Sequence, residues 1–198
     1  FPPFTHGTHV AGISGASTDN AMGIASIGFG ISILPVKATP DLGNPNWIYY
    51  GYEGILWAFN HGAKIINCSW GGSTLSTPGK IVLNHVWDHG GVVVAAAGNT
   101  GNTQPQAKIY PAYHPTVVSV ASTNMADKLS AFSTRNTSVD VSAPGEKILS
   151  LIPFGGYGTY DGTSMAAPLV SGLLGLMLSA NPNLTNADLV HCLVSTID

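Results

Sequence analysis

The stretch Gly90-Gly91-Val92-Val93-Val94-Ala95-Ala96-Ala97-Gly98-Asn99 decides the fold of this chain. Six successive apolar residues between glycines show no alternation with polar ones. They read as a strand buried on both faces, as strands of parallel sheets are. Working outward, similar runs rich in Val, Ile and Ala occupy 33–38, 64–70, 117–122 and 139–143, each bounded by Gly, Asn or Pro.

Helical patterns lie between and around these runs. From 47 to 61, Ile48, Tyr52, Ile55, Leu56 and Phe59 follow a spacing of three to four, and Gly62 suits a C-terminal cap. Residues 80–89 carry Ile81, Val82, Val86 and Trp87 and stop at Gly90-Gly91. The most apolar helix, 164–180, is closed by Asn181-Pro182. Thr185-Asn186-Ala187-Asp188 is a capping box with Asp in place of Glu, opening a last amphipathic helix. Strand–helix alternation predicts an α/β fold, a three-layer sandwich with a mostly parallel sheet. With no internal repeat and no linker, residues 1–198 form a single domain.

Composition excludes several function classes. The chain has 198 residues, of which 9% are charged, against roughly 25% in an average soluble domain. Its net charge is −3 and Arg135 is its only arginine, so it is no nucleic-acid binder working through a basic surface. Disorder is excluded by 44% hydrophobic residues. The longest apolar run, 169–180, is interrupted by Ser171, Gly172 and Gly175, which predicts no membrane span. Cys68 and Cys192 form neither a disulfide framework nor a metal cluster.

Three segments carry chemistry. His6-Gly7-Thr8-His9-Val10-Ala11-Gly12 places an imidazole at the start of a helix; read blandly, the two histidines make a polar helix face or a weak metal pair. No zinc site is expected, since the Glu of the metalloprotease spacing is missing. Ala95-Ala96-Ala97-Gly98-Asn99-Thr100-Gly101 lies at the C-terminal end of a strand, the sheet edge where open α/β folds bind substrates. An Asn amide there is able to donate to an oxyanion, although a simple Gly-Asn turn would use the same residues. Gly162-Thr163-Ser164-Met165-Ala166-Ala167-Pro168 sets a serine at the opening of a buried helix, where an N-cap would also place one. Gly162-x-Ser164 echoes the nucleophile elbow of α/β-hydrolases. Chain order decides against that family, because only His191, Asp188 and Asp198 follow the serine.

His6, Asn99 and Ser164, each in its own motif and in this order, resemble the subtilisin-like serine peptidases. The resemblance covers nearly the whole chain. It extends to Leu34-Pro35-Val36-Lys37-Ala38, to Ile66-Asn67-Cys68-Ser69-Trp70-Gly71-Gly72, to 110–120 and to Ser142-Ala143-Pro144-Gly145. It implies a serine endopeptidase in which Ser164 is the nucleophile and His6 the general base. The Asn99 side chain and the Ser164 N–H would hold the oxyanion. Ser69, Trp70 and Gly71 would pair with the substrate backbone, and with Ala96, Ala97 and Gly98 they would wall a small, uncharged S1 pocket with Ile109 near its base. That pocket predicts apolar or small P1 side chains.

The resemblance further implies polypeptide substrates, secretion to the extracellular space, a monomer, and no cofactor for catalysis. The family's orienting Asp precedes its histidine, and no acid stands among residues 1–5. Asp19, Asp140 and Asp161 are poor substitutes, and a strand near the sheet's centre would be lost with the Asp. The economical expectation is therefore an N-terminally incomplete peptidase domain. A two-chain enzyme and a catalytically silent peptide-binding module on the same scaffold are the alternatives. Leu169 stands where many family members have histidine. Asp19-Asn20-Ala21-Met22-Gly23-Ile24 sits where some have a structural calcium loop, but one Asp and one Asn favour a solvated turn.

Overall fold

A computed structural model describes residues 5–44 and 46–196; Asp198 and residues 1–4 lie outside the described residues. Its centre is a four-stranded parallel sheet in the order β1-β2-β3-β4, made of β1 (Ile65–Cys68), β2 (Val92–Ala96), β3 (Val117–Thr123) and β4 (Val141–Pro144). Cys68 pairs with Ala95, Ala96 with Val120, and Thr123 with Pro144. The register brings the C-terminal ends of β1 and β2 side by side.

Burial on both faces follows from the sequence of β2, every residue of which is buried. Val92, Val94 and Ala96 point into one core with α4 (Thr163–Ala180) and α5 (Asn186–Ser195). Val93 and Ala95 point into the other, under α2 (Gly51–Asn60) and α3 (Thr77–Asp88). Each fully buried valine contributes roughly 1.5 kcal/mol or more. The three layers are thus helices, sheet and helices, as the alternation predicts.

Local signals set the helix ends. Ser76 caps α3 by accepting from the Gly79 N–H at 3.1 Å. Thr185 and Asp188 close the capping box of α5 in both directions at 3.1 Å. The helix foreseen over 47–61 is shorter, since α2 begins only at Gly51. The 18-residue α4 is long and apolar enough by length and composition alone to cross a membrane, but half of it is buried inside the fold. Its buried face packs on all four strands and on α1 (His6–Gly15), as a core helix does.

One expectation fails, and one pair of strands was not expected. Residues 33–38 form no strand, and Ile33, Leu34 and Val36 are exposed at 41%, 41% and 39%. β1 ends the described sheet, and 33–38 pairs with none of its strands; apolar character without a hydrogen-bonded partner does not make a strand. Conversely, an antiparallel hairpin of β5 (Ile148–Ile152) and β6 (Gly156–Tyr160) was not foreseen; it packs against α1.

Candidate active site

The serine motif is built on Gly162. This residue, at φ 152° and ψ 157°, occupies a region that only glycine adopts without strain. Its N–H donates to Gly145 O at 2.8 Å, which explains the close pass of the Ser142–Gly145 segment. A Cβ added at Gly162 would stand 3.4 Å from Asn99 Nδ2 and 3.6 Å from the Ser164 backbone nitrogen. The absent side chain leaves a space bordered by two N–H donors.

Thr163 aims the first donor. Its N–H and its hydroxyl both donate to Asn99 Oδ1, at 3.0 and 2.9 Å, while its hydroxyl accepts from the Gly98 N–H at 3.2 Å. With its oxygen bonded twice, the exposed Asn99 amide presents Nδ2 to the space beside Gly162. Thr163 itself is 1% exposed, so the bonds form away from competing water. Gly98, at φ 108°, turns the chain out of β2 and brings Asn99 to this edge.

Pro168 has a consequence for Ser164. Lacking an N–H, it leaves the carbonyl four residues earlier without its helical donor, and that carbonyl belongs to Ser164. The Ser69 hydroxyl supplies the missing bond at 2.8 Å. The Ser164 hydroxyl donates in return to Ser69 O at 3.2 Å. Asn67 Nδ2 donates to Ser69 Oγ at 2.9 Å, and the Ser171 hydroxyl donates to Asn67 Oδ1 at 2.9 Å. One hydrogen-bonded chain thus links the end of β1 to the first turns of α4.

The predicted substrate walls meet at Ile109. A Cβ at Gly71 would come 2.5 Å from Ile109 Cγ2, and one at Gly98 would come 2.8 Å from Ile109 Cγ1. Gly72 and Tyr110 exchange two backbone hydrogen bonds of 2.8 Å beside them. Ser69 is buried, Trp70 packs edge-on against Tyr52 at 5.6 Å, and Gly71 is exposed. Ala96 and Ala97 are both buried. The Ala96 methyl faces the α4 core, so only its backbone remains to meet a ligand.

His6 opens α1, which packs along α4, and its ring is exposed. Despite that exposure, the protein mass around the ring desolvates it and lowers its pKa from the ordinary histidine value, the repulsion that a protonated His9 would exert being the second cause. Neither influence comes from a carboxylate. The structure brings Asn99, Thr163, Ser164 and Ser69 together by hydrogen bonds; the Ser164 hydroxyl is directed to Ser69 and not to His6. The three acids weighed as substitutes are engaged or placed elsewhere. Asp140 lies just before β4 and not on it, accepts from the Ser119 N–H at 2.8 Å, and is pushed up by burial. Asp161 accepts from the Lys147 N–H at 2.6 Å, and Asp19 stands in a loop at φ 59°.

A model of the subtilase family (Peptidase_S8) matches residues 4–198. The chain belongs to the subtilase family. It is 44% identical over 181 residues to thermitase of Thermoactinomyces vulgaris, covering 91% of this chain and 63% of that protein. It is 40% identical over 195 residues to subtilisin of Bacillus pumilus, covering 97% and 70%. Among solved structures, a protease of Pseudoalteromonas arctica aligns at TM-score 0.86 and 32% identity, over 98% of this chain and 64% of the other. A cold-adapted subtilisin-like serine proteinase aligns at 0.82 and 32%, over 96% and 67%. The chain therefore spans about two thirds of the length of these relatives.

Sequence reasoning on this subtilase missed Thr163, Asn67 and Ser171, whose polar side chains in apolar runs were the available signal. His9 was noted only as one of a pair, and it is fully buried. Both cysteines are free. The calcium expectation finds little support in the residues present. Asn20 Oδ1 already accepts from the Met22 N–H at 3.0 Å, and among the described residues no three His, Cys, Asp or Glu side chains cluster to hold a metal.

Proposed function

We propose that this chain is part of a secreted serine endopeptidase acting on polypeptides, in which Ser164 is the nucleophile and His6 the general base. The observation that carries the reading is the space beside Gly162, bordered by Asn99 Nδ2 at 3.4 Å and the Ser164 nitrogen at 3.6 Å. Two donors converging on one point, next to a serine hydroxyl, suit a developing tetrahedral oxyanion. Substrate would lie extended along Ser69, Trp70 and Gly71, its P1 side chain between that segment and Ala96, Ala97 and Gly98. Ile109, between the two walls, favours apolar or small P1 residues over charged ones.

His6 would take the Ser164 proton as the hydroxyl attacks, then return it to the leaving amine. For this the Ser164 hydroxyl must turn away from Ser69 O, its partner here. A carboxylate outside this chain would orient the imidazole, and the chemistry needs no cofactor. The protein acts as a monomer in this reading.

The Ser164–Ser69 bond also favours a second reading, a silent peptide-binding module, since it holds the hydroxyl away from any base. A fluorophosphonate probe on the folded full-length protein separates the two. Covalent labelling of Ser164 supports the peptidase; no labelling of a sample that still binds peptide supports the module.

A further inference from the structure

The second histidine of the first motif remains unused by the chemistry above, yet it is the most confined polar group of α1. His9 has no exposed surface. Its Nε2 lies 3.1 Å from Ile148 O and 3.0 Å from Gly158 O, one carbonyl from each strand of the β5–β6 hairpin. Two acceptors at one nitrogen place the proton on Nε2. Nδ1 is buried and has no partner, so it carries a lone pair and no proton. The imidazole is therefore neutral, with a fixed tautomer.

The hairpin grips α1 on both sides of His6. Tyr160 stacks on the His9 ring at 4.1 Å and 8°, and its hydroxyl donates to Thr5 Oγ1 at 3.1 Å. Thr5 is the residue immediately before His6 and holds the N-cap position of α1, without a side-chain capping bond. From the other strand, the Ser150 hydroxyl donates to His9 O at 2.7 Å. The first turn of α1 is thus tied at Thr5 and at His9, with His6 between the two ties.

We propose that His9 is a positioning residue for His6: as a neutral imidazole it pins the first turn of α1 to the β5–β6 hairpin, fixes where the His6 ring stands, and keeps a second positive charge away from it. The proposal rests on the reading of His6 as general base. Phenylalanine would keep the stack and lose the N–H, while lysine would bring a charge beside His6. Histidine supplies a flat ring and one donor together. The titratable groups facing it are His6 on its own helix and Tyr160 on β6. Burial lowers the pKa of His9 more than the two carbonyl bonds raise it, which agrees with a neutral ring.

The test compares His9→Phe and His9→Gln with the unaltered full-length protein, using a peptide substrate. His9→Phe is expected to lower kcat about tenfold or more with KM within about twofold, because the substrate-binding strand is elsewhere and only the base loses its place. His9→Gln, which keeps an N–H donor without titrating, is expected to recover most of that loss. The acid limb of the pH profile of kcat/KM should shift in His9→Phe and return in His9→Gln. Should His9→Phe fail to fold, imidazole NMR of the Ser164→Ala protein decides: an Nε2–H tautomer at His9 that does not titrate while His6 does supports the proposal. A His9 ring that titrates near 6.5, or wild-type kcat in folded His9→Phe, overturns it. Absence of fluorophosphonate labelling in the unaltered protein would overturn the peptidase reading and this proposal with it. Labelling together with an unchanged His9→Phe overturns this proposal alone.

Discussion

Gly162→Ala is the sharpest probe of the proposed oxyanion site. The new methyl carbon would sit 3.4 Å from Asn99 Nδ2 and 3.6 Å from the Ser164 nitrogen, at van der Waals contact with both. An oxyanion must approach such donors to 2.7–3.1 Å, so methyl and oxyanion compete for the same space. In subtilisin, removing one such donor costs about 10²–10³ in kcat. Obstructing both should cost about 10³ or more. The substitution also strains the backbone, at roughly 1–3 kcal/mol for a non-glycine residue in this region. That loss is a sizeable part of a stability of roughly 5–15 kcal/mol, so lower activity has to be separated from unfolding. Gly90→Ala supplies the control: Gly90 lies at φ 88° with nothing within 4 Å of an added Cβ. It should lower Tm by a similar few degrees while leaving kcat alone. The assay is kcat on a chromogenic peptide at a temperature where circular dichroism shows both variants folded. Wild-type kcat in folded Gly162→Ala would refute the assignment of this space to the oxyanion.

Thr163→Val keeps the backbone bond to Asn99 and removes the hydroxyl bond, leaving the Gly98 N–H unpaired; at about 1.4 kcal/mol for the hydroxyl, kcat should fall about tenfold with KM unchanged in steady-state kinetics. Ser69→Ala orphans the carbonyl that Pro168 leaves without a helical donor, and should lower Tm by a few degrees in calorimetry, for about 1–3 kcal/mol lost. His9 and His114 both have folded pKa values below 6.5, burial being the first cause in each. The folded state then binds fewer protons than the unfolded one between those values and 6.5, so stability is full above 6.5 and is lost as pH falls; calorimetric Tm should drop from pH 7.5 to pH 5, and a rise would contradict the shifts. A peptide library should show P1 preference for apolar or small residues, and a preference for Lys, Arg or Glu would remove Ile109 from the pocket.

What the sequence made legible was whatever depends on neighbours along the chain. The run Val92 to Ala96 has one stable environment, a strand covered on both faces, and the structure gives it that. Thr185 and Asp188 are three residues apart, and a capping box needs nothing else. The same locality explains the failures. Residues 33–38 have the composition of a buried strand, but a strand also needs a partner, and composition does not report whether one is there. The β5–β6 hairpin turns through Pro153, Phe154 and Gly155, not through one of the favoured two-residue turns, and the polar Ser150 within its first strand broke the apolar run.

The site divides along the same line. Ser164 and Asn99 are visible because each sits in a short motif with its own turn, but neither motif shows what holds it. Thr163 sits beside Ser164 in sequence and acts on Asn99, 64 residues away. His9 acts through carbonyls 139 and 149 residues away. Pro168 looks like a flaw in a helix until the Ser69 hydroxyl is seen taking the place of its missing N–H. In each case the residue type limits what its partner must be: a donor needs an acceptor, and a freed carbonyl needs a donor. The residues most worth testing are therefore those whose bonding needs the local chain leaves unmet, and in this subtilase Thr163, Pro168 and His9 all converge on the two helix starts that carry Ser164 and His6.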